Sequence, residues 1–275
     1  MRAGWCRENV LLGNLRLGLF GMIDPAIEDL GVNPDGLSPD AIVAHLDRRI
    51  EETLGEIQSL DGWAVLTDPA TPIALVQEIL REIYVKIIGY QNEQVEAAVC
   101  AIAQMPRSMK VAWFDEMLHH QAEEFDHGEM AVRDFIGYGG TEAEARVRPQ
   151  SPTAFAVAAV WRNFVHKRQP FMYLGAIYLF EALTPLITGR AMQMLAGRGL
   201  APTGLEFITH HATADIEHAD SMKGLIAEVA FAYPEAKRPM LYGFEHFKAV
   251  YPLPCWAAAA RRAQARVERR AEAAE

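Results

Sequence analysis

Two segments of the sequence each combine histidines with an acid at spacings that suit a metal site. In one of them, His211, Asp215 and His218 follow one another at intervals of four and three residues. On a helix that turns ~100° per residue, these side chains form one row along one face. Imidazole nitrogens and a carboxylate that converge from one face can hold a divalent metal ion. Apolar neighbours such as Phe207 indicate that the row points inward, where a metal ion would offset the cost of burying a charge.

The other segment repeats this spacing with His120, Glu124 and His127. Six of the nine histidines of the chain fall in these two segments, so a chance polar surface explains the pattern less well than a shared site. His120 would be either a seventh ligand or a partner that orients a carboxylate by a hydrogen bond, and we favour the second role.

Metal sites in helical bundles also take single carboxylates from other helices. Glu181 is the only charged residue between Phe171 and Gly189, and an isolated acid in an apolar helix requires a cation. Glu93 precedes Glu124 by 31 residues across one predicted helical hairpin, so the two acids can meet at a similar height. Other acids of the same predicted helix compete with Glu93 for this role: Glu78, Glu82 and Glu96.

The number of candidate ligands predicts two metal ions. The candidates, apart from Glu93, are Glu124, His127, Glu181, His211, Asp215 and His218. Six ligands are too many for one tetrahedral ion, whereas carboxylates can bridge two ions. Nitrogen and oxygen ligands without thiolate suit iron or manganese better than zinc.

Composition excludes several other classes of protein. A net charge of −10 argues against a nucleic-acid partner, because phosphate binding requires a basic surface. The isolated cysteines Cys6, Cys100 and Cys255 argue against a disulfide framework, and they indicate a reducing, cytoplasmic location. We expect no membrane span, since no uninterrupted apolar run of 18 residues occurs, and no signal peptide.

Helical periodicity dominates the chain and predicts an all-α protein with a single domain of about seven to eight helices. Ser38 and Pro39 start the first helix, which runs to about Leu54. The later helices are predicted at about Thr71 to Gln104, Ser108 to Ile136, Ser151 to Lys167, Pro170 to Leu195, Thr203 to Ala230 and Leu241 to Val250, before an alanine-rich last helix. We interpret residues 1–70 as a helical extension packed on the core, 71–255 as the metal-binding bundle and 256–275 as a charged helix or tail.

The order Glu-x-x-His, then a lone Glu, then His-x-x-x-Asp-x-x-His resembles the heme-oxygenase-like di-iron oxidases and oxygenases. These are iron-containing redox enzymes of the superfamily that includes the chlamydial protein associating with death domains. The resemblance covers about residues 71–230, and its most specific element is the segment from His211 to His218. It implies a heme-oxygenase-like bundle and the six iron ligands named above. In some members an acid stands seven residues before the first histidine, a place that His120 holds here.

The same resemblance implies an O2-dependent oxidoreductase with two iron ions, manganese being the alternative metal. The expected reaction is N-oxygenation, desaturation or C–C cleavage of an amine, an amino acid or a fatty acid. The expected partners are this substrate, an external electron donor and a second copy of the chain in a homodimer. We expect Tyr178 beside the metals, and apolar residues of the same helices around a dry cavity: Phe125, Met172, Phe180 and Leu186.

Three alternatives stay open at this point. A ferritin-like di-iron carboxylate protein would share most of the ligands but would not need His211. A metal-free member of the same superfamily, such as a thiaminase-like hydrolase or a cofactorless oxidase, would not explain two matched rows of histidine and acid. A scaffold protein would need no inward cluster of charges.

Overall fold

Proline and serine set where the first helices begin. In the computed structural model, Ser38 Oγ accepts a hydrogen bond from the backbone N–H of Ala41 at 3.2 Å, and Pro39 occupies the first helical turn. Ser151 Oγ accepts in the same way from Ala154 at 3.3 Å. Both helix starts agree with the sequence prediction, because serine satisfies a free N–H group that a helix start leaves unpaired.

The structure describes residues 30–147, 150–200 and 202–273, and within these ranges it contains helices and loops without a strand. The α-helices in chain order are α1 Pro39–Gln58, α2 Asp61–Thr67, α3 Ile73–Ile102, α4 Val111–Glu123, α5 His127–Gly137, α6 Glu142–Val147, α7 Pro152–His166, α8 Met172–Leu195, α9 Glu206–His211, α10 Ala214–Ala232, α11 Lys237–Lys248 and α12 Leu253–Glu272. Short 3-10 turns cover Pro34–Gly36, Glu124–Asp126, Pro202–Gly204 and Pro234–Ala236. This architecture confirms the predicted all-α fold.

Helix α8 forms the centre of the bundle and packs against α10, α11 and α1. A Cβ atom on Gly175 would collide with the carbonyl oxygen of Met240, and one on Gly243 would collide with that of Met172. The backbones of α8 and α11 therefore touch at a crossing that only glycine permits. Helix α8 is long and apolar enough to cross a membrane, but 72% of its most apolar stretch is buried inside the fold, as in the core helix of a bundle.

Two of the predicted helices are interrupted at the segments that carry the histidines and acids. The 3-10 turn Glu124–Asp126 separates α4 from α5, and Ala212 and Thr213 separate α9 from α10. The prediction of two unbroken helices was wrong at these places. A 3-10 turn has about three residues per turn rather than 3.6, so the side chains on its two sides no longer form one straight row.

The outer helices complete the core. Helix α1 packs on α10 and α8, with Ile42 and Leu46 buried. Helix α12 packs on α3 along a face that buries Cys255, Ala259 and Ala263. The charged C-terminal segment is therefore an amphipathic helix that is half buried. The predicted extension 1–70 lies only partly within the described residues, which begin at residue 30.

Candidate metal centre

Four ligand-type side chains from separate parts of the chain meet beside α8. The C-terminal end of α4 supplies His120, the 3-10 turn that follows supplies Glu124, α8 supplies Glu181, and α10 supplies His218. One ligand atom of each lies within 4.8 Å of the other three. Glu181 stands between the two histidines, with Oε1 3.1 Å from His120 Nε2 and Oε2 3.4 Å from His218 Nδ1. A cation placed among these atoms would face two imidazoles and two carboxylates.

Glu124 connects this group to a second pair of histidines. Its Oε1 lies 3.9 Å from His120 Nε2, and its Oε2 lies 3.0 Å from His127 Nδ1. His211 Nε2 is 3.1 Å from the same His127 Nδ1. Each oxygen of the Glu124 carboxylate therefore faces a different histidine.

Asp215 completes the cluster from the first turn of α10. It is fully buried, and its Oδ1 lies 3.8 Å from His218 Nδ1. Three of the six predicted ligands thus lie in the converging group with His120, whereas His127 and His211 adjoin it through Glu124, and Asp215 adjoins it through His218. We refer to these seven residues as the cluster: His120, Glu124, His127, Glu181, His211, Asp215 and His218.

Many polar atoms of the cluster are buried without a hydrogen-bond partner. Neither carboxylate oxygen of Glu181 or of Asp215 has one, and the same holds for Glu124 Oε1, His120 Nε2 and His218 Nδ1 among the described residues. Buried polar atoms in native proteins are nearly always partnered, since each unpaired one costs about 1–3 kcal/mol. Oxygen and nitrogen atoms that converge without partners or thiolates fit iron or manganese.

Crowding of buried charge shifts the acid–base behaviour of the cluster. Burial and the neighbouring carboxylates of Glu181 and Glu124 raise the pKa of Asp215 to about 10. Burial disfavours the charged imidazolium of His120, but the carboxylate of Glu181 outweighs it and raises the pKa of His120 to about 9. Repulsion among carboxylates at this distance therefore favours a protonated Asp215 and a charged His120 in the metal-free protein, and a bound cation would relieve the same repulsion.

Backbone contacts orient His211. Its Nδ1–H donates to the carbonyl oxygen of Phe207 at 2.7 Å, which turns Nε2 toward His127. The ring of Phe207 also stacks on His211, with 3.8 Å between the ring centroids. Burial, together with the neighbouring His127, lowers the pKa of His211 to about 4, which favours the neutral imidazole that binds metal.

Asp134 holds the segment that orients His211, and the sequence analysis missed it. Its two carboxylate oxygens accept the backbone N–H groups of Glu206 and Phe207, both at 2.8 Å. The neighbouring Arg133 donates to the Glu206 carboxylate through two nitrogens, also at 2.8 Å. Sequence offers only a weak signal for this contact, an acid in an apolar helix 72 residues before its partner.

Buried amides support the cluster from outside, and they too were missed. Gln91 Nε2 donates to Glu124 Oε2 at 2.9 Å. Gln121 Nε2 lies 2.9 Å from His120 Nδ1 and 3.2 Å from the hydroxyl oxygen of Tyr173. The only sequence signal for these contacts is that glutamines occur on faces that are otherwise apolar.

Two sequence predictions about the site, those for Glu93 and Tyr178, need correction. Glu93 is partly exposed and accepts a hydrogen bond from Arg162 Nε at 2.8 Å, outside the cluster. Gln91, rather than Glu93, contacts Glu124. Positions 91 and 93 of a helix point about 200° apart, so only one of these two side chains can face the cluster. Tyr178 donates to Asp47 of α1 and lies outside the cluster. His120 Nε2 lies among the ligand atoms, 3.1 Å from Glu181 Oε1, which fits both roles considered for it, as a ligand and as a partner that orients a carboxylate.

A small, mainly apolar cavity of about 60 Å³ lies between α3, α8, α9 and α12. Phe207, which stacks on His211, forms part of its wall, so the cavity adjoins the cluster. The residues that were expected to line a cavity do not line this one. Phe125 and Leu186 are exposed to solvent, and Phe180 is buried against Phe247 and Tyr251.

The fold and the cluster together define a helical protein of the heme-oxygenase-like class with a carboxylate–histidine centre. Its fold is similar to that of a domain of unknown function with a heme oxygenase-like fold from Shewanella denitrificans, with a TM-score of 0.68, 15% identity, and coverage of 82% of this chain and 93% of that one. It is also similar to a TenA homolog from Pseudomonas syringae pv. tomato, with a TM-score of 0.61, 9% identity, and coverage of 84% and 98%.

The model of the iron-containing redox enzyme family matches residues 90–251, which is more than half of the chain and includes every residue of the cluster. The chain belongs to this family, and the family resemblance found in the sequence is confirmed. No protein among the curated sequences matches the chain.

Proposed function

We propose that this protein is a non-heme di-iron enzyme that activates O2 to oxidise a small organic substrate. One observation carries the proposal: buried carboxylate and imidazole atoms without hydrogen-bond partners converge on one centre. Membership of the iron-containing redox enzyme family supports iron as the metal. Manganese has similar ligand preferences and is the alternative.

The cluster divides naturally into two sets of ligands. Glu181, with His120 and His218, would hold one ion, and His127 with His211 would hold the other. Glu124 faces both sets through its two oxygens. Asp215 adjoins the first set through His218. Three carboxylates offset three of the four positive charges of two ferrous ions, so little net charge remains buried.

Bound iron would supply electrons and open coordination positions for the reduction of O2. The protein itself performs the remaining tasks. The hydrogen bond from His211 to the Phe207 carbonyl fixes the direction of one ligand nitrogen, and Gln91 does the same for the Glu124 carboxylate. Burial of nearly every ligand excludes bulk water, which protects reactive species from side reactions.

The alternatives from the sequence analysis are supported less well. The ferritin-like pattern does not require His211, yet His211 Nε2 faces His127 within the cluster. A metal-free enzyme would leave both oxygens of Asp215 buried without a hydrogen-bond partner among the described residues.

Anaerobic loading with Fe(II), followed by exposure to O2, tests the proposal. We expect two irons per chain and a transient visible absorption after O2 is added. His211→Ala should lower the iron content, and Glu181→Ala should lower it at least as strongly, because both remove a ligand atom. Glu93→Ala is the matched control and should load like the wild type, since Glu93 lies outside the cluster. Less than one iron per chain in the wild type, or normal loading of both ligand variants, would contradict the proposal.

A further inference from the structure

The small cavity beside the cluster has a mainly apolar wall. Side chains of α3, α8, α9 and α12 form this wall together with Leu66 of α2 and Tyr251. Aliphatic groups such as Leu80, Ile87 and Ile187 make up much of it. A cavity of about 60 Å³ has room for a molecule of only a few heavy atoms, so it excludes an extended ligand.

The polar groups of the wall are already engaged within the protein. Thr184 and Thr188 each donate to the backbone carbonyl four residues earlier, at 2.6 and 2.8 Å. Tyr84 donates to the Gly204 carbonyl at 2.7 Å. Lys86, the one charged side chain of the wall among the described residues, also has a partner. Within the described ranges, no wall residue has a buried side-chain nitrogen or oxygen atom that lacks a hydrogen bond.

Water gains little from entering such a space. A buried water usually makes about three hydrogen bonds to polar groups that otherwise lack a partner, whereas apolar cavities stay dry and take up apolar guests such as xenon. The cavity therefore favours a small molecule without charge or hydrogen-bonding groups over water or an ion.

Two residues of the wall connect the cavity to the cluster. Phe207 stacks on His211, with 3.8 Å between the ring centroids. Thr184 follows Glu181 by about one turn of α8. The cavity therefore adjoins the cluster at both α8 and α9.

We propose that this cavity is a holding site for O2, in a dry space next to the cluster. O2 is small, uncharged and a poor hydrogen-bond acceptor, so it matches both the volume and the apolar wall. Binding of O2 by the cavity does not depend on a metal, whereas its use in the reaction rests on the proposed function.

Dissolved O2 is paramagnetic and speeds the relaxation of nearby methyl protons, so nuclear magnetic resonance of the metal-free protein tests the proposal. We expect a larger effect on Leu80 and Ile187, which line the cavity, than on Ile42 and Leu46 of α1, which are comparably buried. Xenon, a probe without hydrogen-bonding groups, should shift the signals of the same two wall residues. An O2 effect on the wall no larger than that on α1 would overturn the proposal.

Ala191→Leu fills part of the cavity from α8 and should remove the effects of O2 and xenon on the wall. Gln193→Leu, which places the same side chain at an exposed position of α8, is the matched control and should leave both effects unchanged. Circular dichroism checks folding, and Ala191→Val fills the cavity with one carbon atom fewer if Ala191→Leu does not fold. A folded filling variant that keeps the wild-type O2 effect would contradict the assignment of the cavity.

Rapid mixing of the anaerobic iron-loaded protein with O2 tests whether the reaction uses the cavity. The second-order rate constant for the visible absorption should fall at least about threefold in the filling variant, which corresponds to about 0.65 kcal/mol, while the iron content stays normal. A wild-type rate in a variant that no longer holds O2 would show that the cavity is only a packing gap. Failure of the wild type to load iron would instead contradict the metal proposal, because the experiments with O2 and xenon on the metal-free protein need no iron.

Discussion

The buried acids of α3 and the buried acids of the cluster differ completely in their partners. Glu78 and Glu82, in the first half of α3, face arginines of α12: Arg266 donates to each of them at 2.6 Å. Arg81, Arg262 and Arg270 add further ion pairs. In the cluster, the oxygens of Glu181 have only imidazoles nearby and no hydrogen-bond partner among the described residues.

This difference shows that the burial of an acid does not by itself indicate a metal site. Glu78 and Glu82 were competing candidates for a metal ligand on the basis of sequence. The chain supplies their counter-charge through α12, so they need no ion. The acids of the cluster face imidazoles rather than arginines, and imidazoles, unlike arginines, can also bind a metal ion together with the acids.

The largest effect should come from Glu181→Gln, which keeps the shape of the side chain and removes its charge. We expect iron affinity to fall by about 100-fold or more, since even groups that only support ligands contribute about 10–100-fold. The stability of the metal-free protein should change little, because the lost pairing with His120 and His218 is offset by relief of the repulsion from Asp215 and Glu124. Iron analysis and thermal unfolding of the metal-free protein measure the two effects, and a clear loss of stability would show that the cluster is stabilised without metal.

Glu82→Gln should have the opposite pattern. It breaks the ion pairs with Arg262 and Arg266. We expect the free energy of unfolding to fall by about 2–3 kcal/mol. This loss is smaller than for a fully buried ion pair, because both arginines are partly exposed. The folded fraction should still bind two irons. Urea denaturation and iron analysis test this, and a loss of iron without a loss of stability would remove the contrast between the two groups.

Asp134→Ala should produce a smaller, mixed effect. Loss of the carboxylate that accepts from Glu206 and Phe207 should cost about 1 kcal/mol, as for other carboxylates at helix starts. Iron affinity should also fall by about tenfold, because the hydrogen-bond partner of His211 is held less firmly. If stability falls while iron affinity stays at the wild-type value, Asp134 has only a structural role.

Arg270→Ala should have the smallest effect. Arg270 lies 3.3 Å from Glu78 but is mostly exposed, and exposed ion pairs contribute about 0–1 kcal/mol. We expect a change below about 0.5 kcal/mol in urea denaturation, with iron loading unchanged. A loss comparable to that of Glu82→Gln would mean that the ion pairs of α12 act as one cooperative unit.

The sequence alone determined the helical fold and most of the cluster. Helical periodicity, proline and serine are local signals, and they placed the helix starts at Pro39 and Pro152 correctly. Spacing along a helix is also local, so residue order was enough to group His120, Glu124 and His127. Isolation in an apolar helix identified Glu181 for the same reason.

Only the tertiary structure decided which partner each buried group meets. Glu82 and Arg266 are 184 residues apart, and His127 and His211 are 84 residues apart. Whether α3 presents Gln91 or Glu93 to the cluster depends on the rotation of the helix against its neighbours, which local spacing does not fix. Residue types show which charges a chain must bury, whereas the packing of distant helices decides which of those charges the chain can neutralise itself.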